Sequence, residues 1–262
     1  FVMGGVDGHR IEDDLLYHGA ECRSMEAWPP AGARTSKLYL HDAGSLKVSK
    51  PYADAAPSEY QFDPQNPVPT VGGNISSGAD IIIGGAFDQR EGERFYGSEA
   101  PYMPLSSRHD VLVFQTPPLE QEVTVVGPVT VNLWASSSAV DTDFTAKLVD
   151  VHPPSQDFPH GFDMNLCDGI IRARYRDSTE RQEFMTPGQV YEFTIELYPT
   201  ANRFTKGHRI RVDISSSNFP RLDVNPTTGE LLGRSRRTVI ANNIVYHDTA
   251  HPSHIELYVM ES

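Results

Sequence analysis

Three histidines near the C-terminus have a spacing that could bind a metal ion. His247, His251 and His254 lie at i, i+4 and i+7, and on a helix such residues share a face, as zinc ligands often do. Pro252 lies between them, and proline disfavours helical structure in the residues just before it. The alternating segment Ile255–Val259 that follows is typical of a strand. We therefore expect loop histidines here and no metal site.

Two aspartates in the middle of the chain, Asp141 and Asp143, could act as paired carboxylates or as oxygen ligands of Ca²⁺. They follow three consecutive serines, Ser136–Ser138, and aspartate at such a point commonly forms a turn between strands. A calcium loop of the EF type needs further oxygen ligands that this segment does not have. A structural role is the better interpretation, and we expect no bound cofactor.

The serines and cysteines of the sequence are the candidates for a catalytic nucleophile. The nucleophile elbow of many hydrolases requires Gly-x-Ser-x-Gly, and no serine of this sequence has glycine both two residues before and two residues after it. The segment Asn74–Gly78 comes closest and lacks the first glycine. The two cysteines, Cys22 and Cys167, lie far apart in no catalytic or metal-binding spacing. We therefore expect no catalytic residue in this chain.

The composition argues against two classes of partner, nucleic acid and membrane. The 262 residues include 22 Lys and Arg against 35 Asp and Glu, a net charge of −13, which opposes binding to nucleic acid. No stretch approaches the roughly 18 apolar residues of a membrane helix. The alternating Arg172, Arg174 and Arg176 are therefore interpreted as internal or interdomain partners of acidic groups. The chain begins at Phe1 without a signal-peptide pattern, so we expect a piece of a longer, cytoplasmic polypeptide.

The elements that must position these residues are strands, because the second half of the chain alternates apolar and polar residues. The alternating runs are 129–136, 144–151, 171–176, 191–197, 209–214 and 255–260. Adding 110–115 and 123–126 gives about eight strands, each with one apolar and one solvated side. Turns are expected at Gly127-Pro128, Asp168-Gly169, Pro187-Gly188 and Lys206-Gly207. This spacing predicts an all-β fold, a jelly-roll β-sandwich.

The first half of the chain is rich in Pro and Gly and has little alternation. Only Lys37–His41 and Tyr60–Phe62 are predicted to be strands there. Gly233–Asn243 is the best helix candidate of the chain, although its Thr238–Ile240 run favours a strand. We expect a single domain over 1–262, with a loop-rich half (1–110) draped over the main sandwich strands (111–262) or over a partner.

Several segments resemble the C-terminal domain of the cocaine esterase/X-Pro dipeptidyl-peptidase hydrolases, the CocE/NonD type. The resemblance is carried mainly by Ser136–Val151, Gly207–Val212 and Ser215–Arg221. Shorter matching segments are Phe1–Gly5, Glu26–Pro29, Pro67–Gly73, Asp88–Arg90, Arg108–Leu112 and His251–Ile255. The segments cover nearly the whole chain and occur in the order of that family.

The resemblance implies a fold and a role. These enzymes combine an α/β-hydrolase domain, a helical cap and a C-terminal jelly roll of the galactose-binding-like type, and their Ser-Asp-His triad lies in the hydrolase domain. The chain would then be a non-catalytic accessory domain, without its α/β-hydrolase and cap domains, of an acyl hydrolase acting on esters, amides or X-Pro dipeptides. A homo-oligomer is compatible with this role. Structural functions are implied for the motif residues Asp141, Asp143, Arg209, Asn218 and Phe219.

By position, the loop from Asn74 to Tyr102 is the part expected to help wall the substrate pocket. The predicted pocket-wall residues are Asn74, Ile75, Phe87, Phe95, Tyr96 and Tyr102. Residues 74–104 and 152–164 are longer than in the shorter family members, and the alternative is that these side chains pack down on the sandwich. The alternative function is a stand-alone module that binds carbohydrate or another ligand, with Trp28 or Trp134 stacking on a sugar.

Overall fold

The computed structural model describes residues 1–5, 8–19, 21–77, 81–231 and 233–260, and their regular structure is almost entirely β. The strands are β1 (Val2–Met3), β2 (Glu21–Cys22), β3 (Ala33–His41), β4 (Ser45–Lys47), β5 (Ser58–Phe62), β6 (Leu112–Gln115), β7 (Val123–Ser137), β8 (Asp143–His152), β9 (Phe162–Arg172), β10 (Tyr191–Phe204), β11 (Arg209–Ser215), β12 (Ala241–Tyr246) and β13 (His254–Met260). Single 3-10 turns occur at Glu12–Asp14, Asp42–Gly44, Leu105–Ser107 and Ala173–Tyr175. Within these ranges no helix has the length and apolar character that crossing a membrane would require.

The long strand β7 organises the sheet. It pairs antiparallel with β10 along one edge, while β12 and β13 share its other edge. From β13 the hydrogen-bonded path continues through β3, β4, β6, β11, β8 and β9. We interpret this path as two layers, with β7, β10 and β13 in one and β6, β11, β8 and β9 in the other. The all-β sandwich prediction is confirmed.

The core lies between the two layers. The rings of Phe144 in β8 and Phe193 in β10 are 4.8 Å apart, and both side chains are fully buried. In β10 the apolar residues Phe193, Ile195 and Leu197 are buried, whereas the intervening residues are exposed. This is the burial pattern that period-two alternation predicts for a sheet with one solvated side.

The two strands β8 and β11 depart from that expectation, because both of their sides are buried. Their outer side carries Thr145, Lys147, Arg211 and Asp213, each at most 5% exposed. The prediction of a solvated outer side is therefore wrong for these strands. The polar side chains are covered because the loop-rich part of the chain packs over them.

Residues 66–111 form that cover. They have a small apolar core of their own, composed of Val68, Val71, Phe87, Phe95, Leu105 and Val111. Backbone hydrogen bonds join this cover to the sandwich: Gln89 N–H donates to Asp163 O over 3.0 Å, and Phe219 N–H donates to Val68 O over 2.9 Å. Residues 66–111 thus pack over the sandwich, whereas β3, β4 and β5 of the first half are strands of the sheet itself.

Two of the expected turns lie inside strands. Gly127-Pro128 occurs within β7, where the pairing with β13 shifts register between Glu256 and Val259 because β7 has two more residues there than β13. The pair therefore forms a bulge, and Val123–Val126 is not a separate strand. Asp168-Gly169 lies within β9, and a Cβ at Gly169 would stand 2.2 Å from Glu196 O. This glycine permits close approach of β10 and does not form a turn.

The turns at Pro187-Gly188 and Lys206-Gly207 are confirmed. One further prediction is wrong. The strand expected over 171–176 ends at Arg172, and Ala173–Tyr175 forms a 3-10 turn. The helix candidate Gly233–Asn243 contains no helix in its described residues, and β12 begins at Ala241.

Candidate functional site

A buried carboxylate on the outer side of β9, Asp168, binds side chains from two loops. The Arg221 guanidinium lies 2.5 Å from Asp168 Oδ1, and Asn218 Nδ2 donates to Asp168 Oδ2 over 2.9 Å. Arg221 also donates to Asn74 Oδ1 over 3.1 Å, while Thr70 Oγ1 donates to Asn218 Oδ1 over 3.0 Å. This Asp168 network therefore attaches the start of the 74–102 loop to the sandwich.

A buried lysine extends the attachment. Lys147 is 5% exposed, and its Nζ donates to Gln89 Oε1 over 3.4 Å, while Gln89 Nε2 donates to Val71 O over 2.9 Å. Burial lowers the pKa of Lys147, and the charges of Asp168 and Asp213 oppose that shift. The loop is thus held by charged and amide groups that are themselves withdrawn from water.

The loop face borders a groove of about 410 Å³. Ile75, Tyr198 and Leu222 contribute apolar walls, and Asp168 and Arg221 of the network lie at the same groove. The Arg221 guanidinium carbon lies 5.5 Å from the centre of the Tyr198 ring, a cation–π distance. The groove therefore combines apolar walls with an internally neutralised ion pair.

A second groove, of about 540 Å³, is lined in part by residues 87–95 of the loop. Phe87 and Phe95 contribute to it together with Arg94, Phe158 and His160. The two phenylalanine rings form an edge contact with centroids 5.2 Å apart, and the side chains are only 7% and 9% exposed. Both belong to the small apolar core of the cover and support the loop from within.

The remaining predicted pocket-wall residues differ in exposure. Asn74 is exposed, and Ile75 and Tyr96 are 37% and 55% exposed. The Tyr96 ring contacts that of Phe219 with centroids 5.7 Å apart. Tyr102 is half-buried, and its carbonyl accepts a hydrogen bond of 3.3 Å from Arg90. The structure thus places Asn74, Ile75 and Tyr96 at the surface, and their contact with a substrate pocket stays a prediction.

The motif aspartates Asp141 and Asp143 are buried ion-pair partners. Arg174 Nη2 lies 2.8 Å from Asp141 Oδ2, and Arg172 Nε lies 2.9 Å from Asp143 Oδ1. Asn225 Nδ2 bridges the pair, donating to Asp141 over 2.8 Å and to Asp143 over 2.7 Å. Burial raises the pKa of Asp143, and Arg172 opposes that shift. Arg172 and Arg174 are internal partners of acids, as predicted, whereas the acids paired with Arg176, Asp177 and Glu183, are exposed.

The other motif residues contact backbone and loop groups. Arg209 Nη1 donates to Thr116 O over 2.9 Å. Asn218 belongs to the Asp168 network, and Phe219 exchanges backbone hydrogen bonds with Val68 and Thr70. Each of the three therefore connects strand β11, or the segment that follows it, to a loop.

The three C-terminal histidines do not converge. His254 begins β13, and its Nδ1 donates to Pro252 O over 2.8 Å. His247 Nε2 bonds to Ser58 Oγ over 2.9 Å, and His251 Nδ1 bonds to Asp248 Oδ2 over 3.1 Å. The segment is not helical, as Pro252 predicted.

A different set of side chains does converge, and sequence reasoning missed it. Within the described residues, Asp150, His152 and His208 each bring one ligand-type atom within 4.8 Å of the other two, and all three are buried. Asp150 and His152 are two apart on β8, so they lie on one side of the strand. The Asp-x-His pattern was the available signal, but only the pairing of β8 with β11 brings His208 beside it.

The remaining candidates from the sequence, two tryptophans and two cysteines, differ in exposure. Trp28 is 45% exposed and forms an edge contact with Phe1, and Trp134 is half-buried. Cys22 is exposed and Cys167 is buried, and both are free thiols.

The comparisons with known proteins agree with one another. Residues 2–256 match the family described as X-Pro dipeptidyl-peptidase C-terminal non-catalytic domain. Cocaine esterase of Rhodococcus sp. (strain MB1 Bresler) is 37% identical over 273 residues, which cover 100% of this chain and 41% of the esterase. A putative serine esterase of Mycobacterium tuberculosis (strain CDC 1551 / Oshkosh) is 24% identical, over 91% of this chain and 36% of the relative.

Solved structures share the fold. An aminopeptidase from a marine-sediment Thaumarchaeota archaeon superposes with a TM-score of 0.79 at 29% identity, covering 97% of this chain and 40% of that one. An α-amino acid ester hydrolase gives a TM-score of 0.73 at 27% identity, covering 96% and 40%. The chain thus spans about two fifths of these relatives, and a stand-alone carbohydrate module is not favoured. Its match from residue 2 to residue 256 shows that the chain belongs to the family of X-Pro dipeptidyl-peptidase C-terminal non-catalytic domains.

Proposed function

We propose that this chain is the accessory domain of a serine acyl hydrolase of the cocaine-esterase type, packed on the α/β-hydrolase and cap domains of the same polypeptide. The observation that carries the proposal is the 37% identity to cocaine esterase across the whole of this chain. Esters are the proposed substrate class, because two of the relatives are named as esterases. The chemistry would follow the covalent acyl-enzyme route on a serine of the hydrolase domain.

The proposed docking face is the exposed side of the 74–102 loop with the neighbouring groove. Ile75, Tyr96 and Tyr198 are 37%, 55% and 51% exposed, and removing such apolar surface from water favours association. The Asp168 network holds this face in place before docking, which reduces the entropy lost on binding. Asn74, Ile75 and Tyr96 would reach the substrate pocket, whereas Phe87 and Phe95 support the loop and the Tyr102 carbonyl holds Arg90.

The experiment uses the full polypeptide that carries this domain. Ile75→Ala and Tyr96→Ala should each change KM for a series of aryl esters several-fold while the protein stays folded. Tyr52→Ala is the matched control, because Tyr52 is 67% exposed and lies near the β3–β4 hairpin. Unchanged KM and unchanged selectivity in both loop variants would refute the pocket-wall role.

A second experiment tests the non-catalytic role. The 262-residue chain alone should not hydrolyse p-nitrophenyl acetate above the buffer rate. Turnover that persists through further purification, and that co-elutes with the chain, would overturn the assignment. A reducing, cytoplasmic compartment is proposed as well, and the two free cysteines support it.

A further inference from the structure

One end of the sandwich contains a row of polar side chains that continues the apolar row of β8. Phe144, Ala146 and Leu148 face the core, and by strand periodicity Asp150 and His152 continue on the same side. Both are almost completely withdrawn from water, with side chains 1% and 9% exposed. A carboxylate and an imidazole at the end of an apolar row require a compensating partner.

His208 supplies part of that compensation. Arg209 pairs with Val151 in the antiparallel ladder, so His208 arrives opposite His152. His208 Nδ1 donates to Asp150 Oδ1 over 2.8 Å, and Asn202 Nδ2 donates to Asp150 Oδ2 over 3.0 Å. The carboxylate is therefore held from two sides in the absence of an ion, and Asn202 would remain its partner outside the ligand set.

His152 is the group without compensation. Its Nε2 points to Asp150 Oδ2 at 3.6 Å, beyond hydrogen-bond distance, and has no hydrogen-bond partner among the described residues. The rings of His152 and His208 lie with centroids 4.2 Å apart. An unpartnered imidazole nitrogen, nine-tenths buried and directed at a carboxylate, is an arrangement that a bound cation would satisfy.

We propose that Asp150, His152 and His208 form a binding site for a divalent cation of the zinc class. Two imidazole nitrogens and one carboxylate oxygen are a donor set that suits Zn²⁺. A tetrahedral ion with bonds of about 2.0–2.1 Å spaces its ligand atoms about 3.4 Å apart, and the three side chains already meet within 4.8 Å. Closing the site requires side-chain rotations to that spacing, with bonds to the ion replacing the hydrogen bond between His208 and Asp150.

Two grooves give an ion access to the cluster, and the N-terminal segment covers its other side. His152 lies at the boundary of two grooves, of about 480 and 350 Å³, through which an ion and a coordinating water can reach it. The N-terminal segment covers the other side: Gly4 forms a bridge to Asn202, and the His18 ring packs directly against Gly4. The bound ion would join β8 to the start of β11 beneath this segment and stabilise that end of the sandwich.

The test uses the purified chain after EDTA treatment and removal of the chelator. Zn²⁺ titrated against a chromogenic chelator should bind at one equivalent, and Co²⁺ should give the visible absorption of a four-coordinate site with nitrogen ligands. His152→Gln should weaken Zn²⁺ binding at least about tenfold. His109→Gln is the matched control, because His109 is exposed and lies outside the cluster, and its affinity should equal that of the original chain.

His152→Gln removes no hydrogen bond of Nε2, so this variant should stay folded, whereas Asp150→Asn would replace an acceptor oxygen by a donor and lose at least one of two buried hydrogen bonds. Far-UV circular dichroism checks the fold, and Zn²⁺ at a concentration near the Kd of the original chain should raise the Tm of that chain more than that of His152→Gln. Failure of the original chain to bind Zn²⁺ at one equivalent would overturn the proposal. Equal Zn²⁺ affinity in a folded His152→Gln variant would overturn it as well.

Discussion

The Arg174 guanidinium and the Asp141 carboxylate form an ion pair of 2.8 Å whose two side chains are 1% and 0% exposed. Arg174 N–H also donates to Asp141 Oδ1 over 3.0 Å, so the carboxylate closes the turn at which β9 ends. Such a buried pair stabilises the fold only while both partners are present, because either partner alone would be an uncompensated charge in the interior.

Removal of Arg174 should therefore lower the free energy of unfolding substantially. Arg174→Met leaves Asp141 buried without its cation, and we expect a loss of about 3–5 kcal/mol in the free energy of unfolding. Urea denaturation followed by tryptophan fluorescence measures it. Arg181→Met, at an exposed position, is the control and should change stability by about 0.5 kcal/mol or less. Equal midpoints for the two variants would contradict the structural role of the pair.

Two adjacent aromatic residues in the loop should behave oppositely. Phe95 is 9% exposed and Tyr96 is 55% exposed. We expect Phe95→Ala to cost about 3 kcal/mol or more, because it opens a cavity in the small core of the loop. Tyr96→Ala should cost about 1 kcal/mol or less, since it loses one ring contact. Chemical denaturation of both variants tests this, and similar losses would show that the loop has no packed core.

Acid should destabilise the chain through its buried imidazoles. Burial lowers the pKa of His152 from 6.5 to about 4. Between these pH values the His152 side chain therefore binds more protons in the unfolded chain than in the folded one. The free energy of unfolding should therefore fall as the pH falls from about 6.5 to about 4, by up to about 3 kcal/mol for this group. Burial also lowers the pKa values of His18, His247 and His254, which act in the same direction.

The measurement is urea denaturation across that pH range in EDTA, so that no cation contributes. His152→Gln should have a flatter pH dependence, because the substituted side chain does not titrate. His109→Gln should retain the slope of the original chain. An unchanged slope in His152→Gln would show that His152 is not the titrating group.

Gly169 should tolerate no side chain. A Cβ there would lie 2.2 Å from the backbone oxygen of Glu196, so Gly169→Ala must push β9 and β10 apart. We expect a loss of about 1–3 kcal/mol, measured by thermal and chemical denaturation. Gly32→Ala is the control, because its Cβ would meet only Met260 Cε at 3.5 Å, an ordinary contact. A stable Gly169→Ala variant would argue against the close crossing of the two strands.

Local patterns predicted much of the sandwich correctly. The alternation in Tyr191–Leu197 and Ile255–Val259 identified β10 and β13, because a strand with one solvated side must alternate. The same reasoning failed for Ala241–Tyr246 and for nearly all of β9, of which only the end at Ile171–Arg172 lay in a predicted strand. Their pairing partners, β5 and β7 for one and β8 for the other, are distant in sequence, and strand propensity depends on such partners.

The amino-acid sequence alone determined the all-β class, the arginines as partners of acids, the non-helical histidine segment and the family. Each of these depends on short-range spacing or on matched motifs. Only the tertiary structure decided that Asp168-Gly169 continues a strand, that Phe87 and Phe95 are buried while Tyr96 is exposed, and that His208 meets Asp150 and His152. Those outcomes depend on which strands pair and which loop covers them, and this information is spread over contacts between residues far apart in the chain.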